Sequence, residues 1–297
     1  MKNNEQLWEI GITVLRSLGS HYEESMDSAA KEFGLESPIW YPLTAAYIFK
    51  PDPISVQRLK VRSPYSSTSY FENPLQALTE SRFLTQSPLG GFTLTDRGNE
   101  ATLAIMLAAY NAMEAISVLS EDKMRSLTNS LGRLVQVCMI HGYPISKWSI
   151  IYSRRLDGSS QDNYTAKIDQ YLSDLSSFRD DSHLASWRHL DVGGHAWDVL
   201  SVIWREGPIS IDLVADRLVR RKWTKEETNQ AADELRIKGW IEGSMELTIT
   251  ESGIHIRDEA EALTNDYFFS PWDSAPGNDL ETLSILLPEL NELLGVD

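Results

Sequence analysis

The sequence predicts a mainly α chain with small β-hairpin wings, in which one helix-rich unit occurs twice around a central helical bundle. Three observations predict it. Apolar residues recur at helical spacing, as in ATLAIMLAAYNAM (101–113) and AWDVLSVIWRE (196–206). Two short alternating runs fold back on Gly-containing turns, at 83–98 and 240–253. The two halves also align at an offset of 155: YIFKPDPISVQRL (47–59) matches VIWREGPISIDLV (202–214), with Pro-Ile-Ser at 53–55 and again at 208–210. LTESRFL (78–84) matches LRIKGWI (235–241) after a slip of two residues. FTLTDRGNEA (92–101) matches LTITESGIHI (247–256), where Gly98 and Gly253 restore the offset of 155.

Each unit gives the same order of elements. In the second, AWDVLSVIWRE is stopped by Glu206-Gly207-Pro208, and ISIDLVADRLV forms a short helix capped by Ser210. Thr224 opens the next helix as a capping box, TKEE, with Glu227 reaching back to the backbone N–H of the cap. Lys238-Gly239 ends that helix. WIEGSMELTITESG then makes a hairpin around Glu242-Gly243-Ser244, and the long helix IHIRDEAEALTNDYFF follows. FFSPW (268–272) is a rigid corner before the last helix, with Pro271 as the stop. In the first unit YPLTAAYIF is stopped by PDP, and ISVQRLKVR follows. Asn73-Pro74 supplies the cap and first turn of PLQALTESRF, FLTQSPLGGFTLTDRG is the hairpin, and an apolar helix runs from about 99 to 119. Three helices, a hairpin and a long helix make a winged helix-turn-helix.

GLESPIWYPLTAAYIF, PISVQRL, ALTESRFL and a hairpin closing in FTLTDRG resemble the MarR family of winged-helix regulators over most of residues 5–118. From about 178 to 297, HLA, the second winged-helix pattern, RDEAEALTNDYFFSPW and LSILLPELNELL resemble an uncharacterised, actinobacterial-type helix-turn-helix family related to MarR. The resemblance implies a dimer-like pair of winged helices that binds double-stranded DNA and holds a small-molecule effector in a crevice. Here that pair is fused into one chain. The implied fold is a tandem winged helix-turn-helix pseudo-dimer. A first winged-helix domain with C-terminal helices covers 1–155, a linker and connecting helix 156–178, and a second winged-helix domain with C-terminal helices 179–297. Helices at 99–140, 164–178 and 258–294 supply the central bundle. The resemblance implies a monomeric pseudo-dimer or a homodimer.

The 297 residues are enough for two ordinary domains, each with a core. The N-terminus lacks a basic region followed by an apolar stretch, and the longest apolar windows are too short to span a bilayer. The expected location is the cytoplasm, with no membrane partner. The single Cys138 forms no internal disulfide. Charge is split: residues 1–155 hold 15 Lys plus Arg against 15 Asp plus Glu, and the remaining 142 hold 12 against 28, so the whole net charge of −16 lies in the second half. A polyanion meeting that half is repelled unless a local basic patch dominates.

A helix-turn-helix reads bases with the N-terminal part of its second helix and grips phosphates with nearby Lys and Arg. The first unit offers Arg58, Lys60 and Arg62, then Ser66, Ser67, Thr68 and Tyr70, then Asn73 and Gln76. The same Ser, Thr and Asn also serve as ordinary turn and cap residues. The second unit offers Arg217, Arg220, Arg221, Lys222 and Lys225, followed at once by Glu226, Glu227, Asp233 and Glu234, which oppose phosphate binding. The two units differ at every reading position, so a palindromic site is not expected. A winged-helix scaffold that has lost DNA binding and recognises a protein or small molecule is the rival reading.

The stretch DSHLASWRHLDVGGHAWD (181–198) concentrates His183, His189 and His195. On a helix a six-residue spacing turns each side chain by about 240° from the last, so the three share no face. No metal site or cofactor is assigned, and the stretch is expected to be a hinge and core segment. GxSxG, HExxH, P-loop and GxGxxG motifs are absent, and no catalytic residue is assigned. Trp148, Tyr152, Trp187, His195, Trp197, Tyr267 and Trp272 are the candidate lining of a ligand crevice, or else bundle core.

Overall fold

The structure, a computed structural model, describes residues 2–36, 40–116, 118–156 and 163–295. Residues 37–39 of the quoted GLESPIWYP run and 157–162 at the start of the linker lie outside the described residues.

After a 31-residue helix α1 (Lys2–Glu32), hydroxyl caps set out a unit of α2 (Tyr41–Phe49), α3 (Val56–Arg62), α4 (Thr68–Glu80), β1 (Leu84–Gln86), β2 (Phe92–Leu94) and α5 (Asp96–Glu114). Ser55, Ser67 and Thr95 each accept a hydrogen bond from the backbone N–H three residues on, opening α3, α4 and α5. Such a cap contributes about 1 kcal/mol. After α6 (Glu121–Ile140), α7 (Trp148–Ser153) and α8 (Tyr164–Trp187), the same order returns as α9 (Gly194–Glu206), β3 (Ile209–Ser210), α10 (Ile211–Arg217), α11 (Lys225–Ile237), β4 (Ile241–Glu242), β5 (Glu246–Ile249) and α12 (Glu251–Phe269). Ser210, Thr224 and Thr250 cap α10, α11 and α12, and the Thr224–Glu227 capping box is complete in both directions. A 3₁₀ turn at Ser270–Ser274 with buried Pro271 makes the corner before α13 (Asp279–Leu294).

The wings match in detail. Ile54 exchanges two 2.8 Å hydrogen bonds with Phe92, as a bridge beside the β1–β2 pair. In the later unit the equivalent strand is β3, giving the antiparallel order β3-β5-β4. Gly98 and Gly253 stand where an added Cβ would come within 2.0 Å of the Phe83 carbonyl oxygen and 2.1 Å of the Trp240 carbonyl oxygen. The repeated Thr-x-x-Gly therefore seats each wing tightly against the helix that follows it.

Three boundaries differ from expectation. The helix expected to start at Asn73-Pro74 begins at Thr68, capped by Ser67, and Pro74 sits inside it. The helix expected over 99–119 is Asp96–Glu114. The helix expected over 164–178 continues to Trp187.

Three main cores result. One lies in the first unit around Leu43, Phe49, Leu75 and Phe83, and one in the second around Trp197, Leu200, Ala232 and Leu247. Between them α1, α6, α8, α12 and α13 pack on Leu18, Leu134, Phe178, Phe268 and Trp272. Helix α8 runs through this central layer and delivers the chain to the second unit, where Gly193 caps α9.

Candidate nucleic-acid interface

The turn between α3 and α4 packs directly on the second unit, and Tyr65 is the joint. Its hydroxyl accepts from Trp187 Nε1 at 3.2 Å, and its carbonyl accepts from Trp223 Nε1 at 2.6 Å. The Arg221 guanidinium lies 5.4 Å from its ring centroid. Burial pushes the phenol well above its usual range, so it stays neutral. Ser67 N–H donates to the Arg221 carbonyl at 2.9 Å, and Arg188 donates to the Val61 carbonyl. At the start of α9, a Cβ on Gly194 would come within 2.5 Å of the Pro64 carbonyl oxygen.

This interface brings the N-termini of α4 and α11 together. Ser67 caps α4, Thr224 caps α11, and Arg221 lies three residues before Thr224. Three Cα steps of about 3.8 Å plus the bridging hydrogen bond place the two caps within about 18 Å of each other.

Of the eight basic side chains expected to grip phosphate, five are held by carboxylates. Arg58 pairs with Asp52 at 3.3 Å, Arg62 with Asp180 at 2.8 Å, Arg217 with Glu206 at 2.9 Å and Arg221 with Asp198 at 2.9 Å; Lys225 pairs with Asp212. Lys60 lies 5.6 Å from the Trp223 ring centroid. Arg220 and Lys222 are exposed, with no ion pair to another described residue.

The hydroxyl-rich run divides. Ser66 and Ser67 are buried, the first with an unpartnered Oγ and the second as a cap, so neither side chain is presented to a groove. Thr68, Tyr70, Asn73 and Gln76 are exposed along α4 together with Ser69, although Gln76 is bonded to Glu80 at 2.9 Å. On α11, Glu227 is committed to the capping box, which holds its carboxyl below the usual range, and Glu234 accepts from Gly193 N–H at 2.8 Å. Glu226 and Asp233 stay exposed. Sequence reasoning passed over Tyr65, Trp223 and Ser69. The signal for the first two was an aromatic residue just before each N-cap, in Pro64-Tyr65-Ser66-Ser67 and Lys222-Trp223-Thr224.

The seven residues expected to line one crevice fall in separate places. Trp148 and Tyr152 cluster with Phe49 at ring centroid distances of 4.3–5.5 Å, on the wall of a cavity of about 330 Å³ between α2, α3, α7 and α8. Trp187 and Trp197 stack at 5.4 Å inside the second unit, Tyr267 stacks on Tyr143, and Trp272 lies in the central core. His195 stacks on Trp223 at 4.4 Å, with Nε2 3.2 Å from Thr228 Oγ1, and burial pulls its pKa down to about 4. His183 lies 3.3 Å from Thr264 Oγ1, and His189 sits on the turn after α8. The three histidines thus occupy three elements, and no group of three or more His, Cys, Asp or Glu able to hold a metal occurs among the described residues. Among the same residues no helix is long and apolar enough to cross a membrane.

No curated protein and no solved structure matches the chain. Residues 171–294 match the model of a helix-turn-helix family, so the part of the chain that carries α9 to α13 holds a helix-turn-helix domain, which points in general to a DNA-binding regulator.

Proposed function

We propose that this chain is a DNA-binding transcriptional regulator of MarR-like type: two fused and diverged winged helices that form a pseudo-dimer around the central bundle. The observation that carries the reading is the doubled order of helix-turn-helix and wing, with matching Ser, Ser or Thr, and Thr caps. Its reading helices meet at their N-termini beside Lys60, Arg220 and Lys222, the cations not already paired with carboxylates. The cavity under α3 gives the reading its ligand-responsive part. About 330 Å³ suits a small molecule, and Leu59 and Arg62 of α3 share its wall with Trp148 and Tyr152. An occupant there acts on the helix that leads into the Tyr65 turn.

A salt series with random duplex DNA tests the reading. Three available cations predict a slope of log affinity against log salt of about −2.7, well short of the steep dependence of a regulator that neutralises six to ten phosphates. Binding should be measurable at about 50 mM salt and weak at physiological salt. Its absence at about 50 mM contradicts the reading. That outcome favours the rival, a winged-helix scaffold that recognises a protein or small molecule, which the five committed basic side chains and the net charge of −16 in the second half support.

A further inference from the structure

Resting on that DNA-binding reading, we infer that the chain carries one composite duplex-binding site in place of two half-sites: α4 presents the base-reading face and the second unit contributes phosphate-gripping cations, chiefly Lys222, while α11 stays out of the groove. Paired helix-turn-helix units ordinarily place their reading helices about 34 Å apart, one turn of DNA. The Ser67–Arg221 hydrogen bond and the Tyr65–Trp223 contact hold the reading ends here at about half that separation.

The surface around the joint is shared. Lys222 lines the same concavity as Ser69, Tyr70 and Asn73, so a cation of one unit faces the first turns of the other unit's reading helix. Lys222 also has a φ of 60°, a left-handed conformation uncommon outside glycine, at the residue that separates the Val219–Arg221 turn from Trp223. The two reading helices differ in what they expose. Along α4, Thr68, Ser69, Asn73 and Gln76 carry hydroxyl and amide groups suited to base edges, with Glu72 and Glu80 as the acids. Along α11 the exposed groups are Lys225 and Asp233, each already in an ion pair, with Asp212 and Arg236 respectively, the unpaired Glu226 in the first turn, a single amide at Gln230 and the apolar Ile237. That set has less to offer base edges and puts an acid where the helix would enter the groove.

Binding of the full chain to random duplexes shortened stepwise from about 30 to about 12 base pairs tests this, with each affinity divided by the number of binding registers. A single composite site predicts a per-register affinity unchanged down to about 12 base pairs, roughly one helical turn. Lys222→Ala should lower affinity several-fold at every length, whereas Glu226→Ala should change it less than about twofold. A more than tenfold loss between about 24 and 12 base pairs reveals two half-sites and overturns the inference alone. A tenfold gain from Glu226→Ala places α11 against the duplex and also overturns it. Failure to bind at any length removes the DNA-binding reading itself.

Discussion

His195 shows how residues that look like chemistry become structure. It is buried between the Trp223 ring and Thr228, one residue into α9, and its Nδ1 has no hydrogen-bond partner. Burial holds its pKa at about 4. The unfolded chain therefore takes up the proton first as pH falls below the ordinary histidine value of about 6.5. The stabilising effect of the neutral ring is complete above pH ~6.5 and is lost progressively between ~6.5 and 4, up to about 3 kcal/mol at the acid end. His183, also held near 4, adds the same sign, while Asp169, raised by burial to about 7, acts oppositely as pH falls through 7. Because wild-type stability mixes these effects, the clean measurement is a comparison with His195→Gln by urea unfolding at several pH values. The variant should lose less stability than wild type from pH ~6.5 to 4. Parallel profiles would show that His195 does not carry this effect. The six-residue histidine spacing was enough to reject a shared helical face, but the stacking of His195 on Trp223, 28 residues away, is a long-range contact that no local pattern carries.

At the scale of elements, local chemistry was legible wherever it acted alone. The Thr224–Glu227 box, the Gly207 and Gly239 stops, the hairpin at Gly243 and the Pro271 corner all stand where residue types within four positions placed them. Removing the box with Thr224→Ala should cost about 1–2 kcal/mol in chemical unfolding, and an unchanged midpoint would mean that α11 does not depend on it. The start of α4 was misplaced because Asn73-Pro74 is the stronger local signal. Ser67 wins because its own N–H is already fixed by the Arg221 carbonyl across the unit boundary while its Oγ caps Tyr70 N–H at 3.3 Å. Pro74 then leaves only the Tyr70 carbonyl without its helical donor, on a first-turn residue that is exposed to water. Helix α5 starts before residue 99 because Thr95 caps it, and α8 runs on past residue 178 because its length packs against α6 and α12.

For the whole molecule, the doubling of the unit could be read from the offset of 155, but the way the two units meet could not. Residue type placed Arg62, Ser66 and Arg221 among the DNA contacts. The fold turns Arg62 to Asp180 on α8 and Arg221 to Asp198 on α9, and buries Ser66 beside the joint where the two turns pack on each other. The expected crevice dispersed likewise, since its aromatic residues serve three separate cores, with Trp148 and Tyr152 on the wall of the cavity of about 330 Å³ and Trp187, Trp197 and Trp272 packed into core. Under the proposed reading, what sets this chain apart from an ordinary winged-helix pair is the convergence of the N-termini of α4 and α11, and a spin-label distance between Thr68→Cys and Arg220→Cys tests it most directly. Both positions are exposed, and Cys138 is buried with its thiol pushed up by burial, so it takes no label. Convergence of the two N-termini gives a single distance of about 15–25 Å, labels included; a distribution centred at about 34 Å or beyond, the spacing of two independent half-sites, would rule it out.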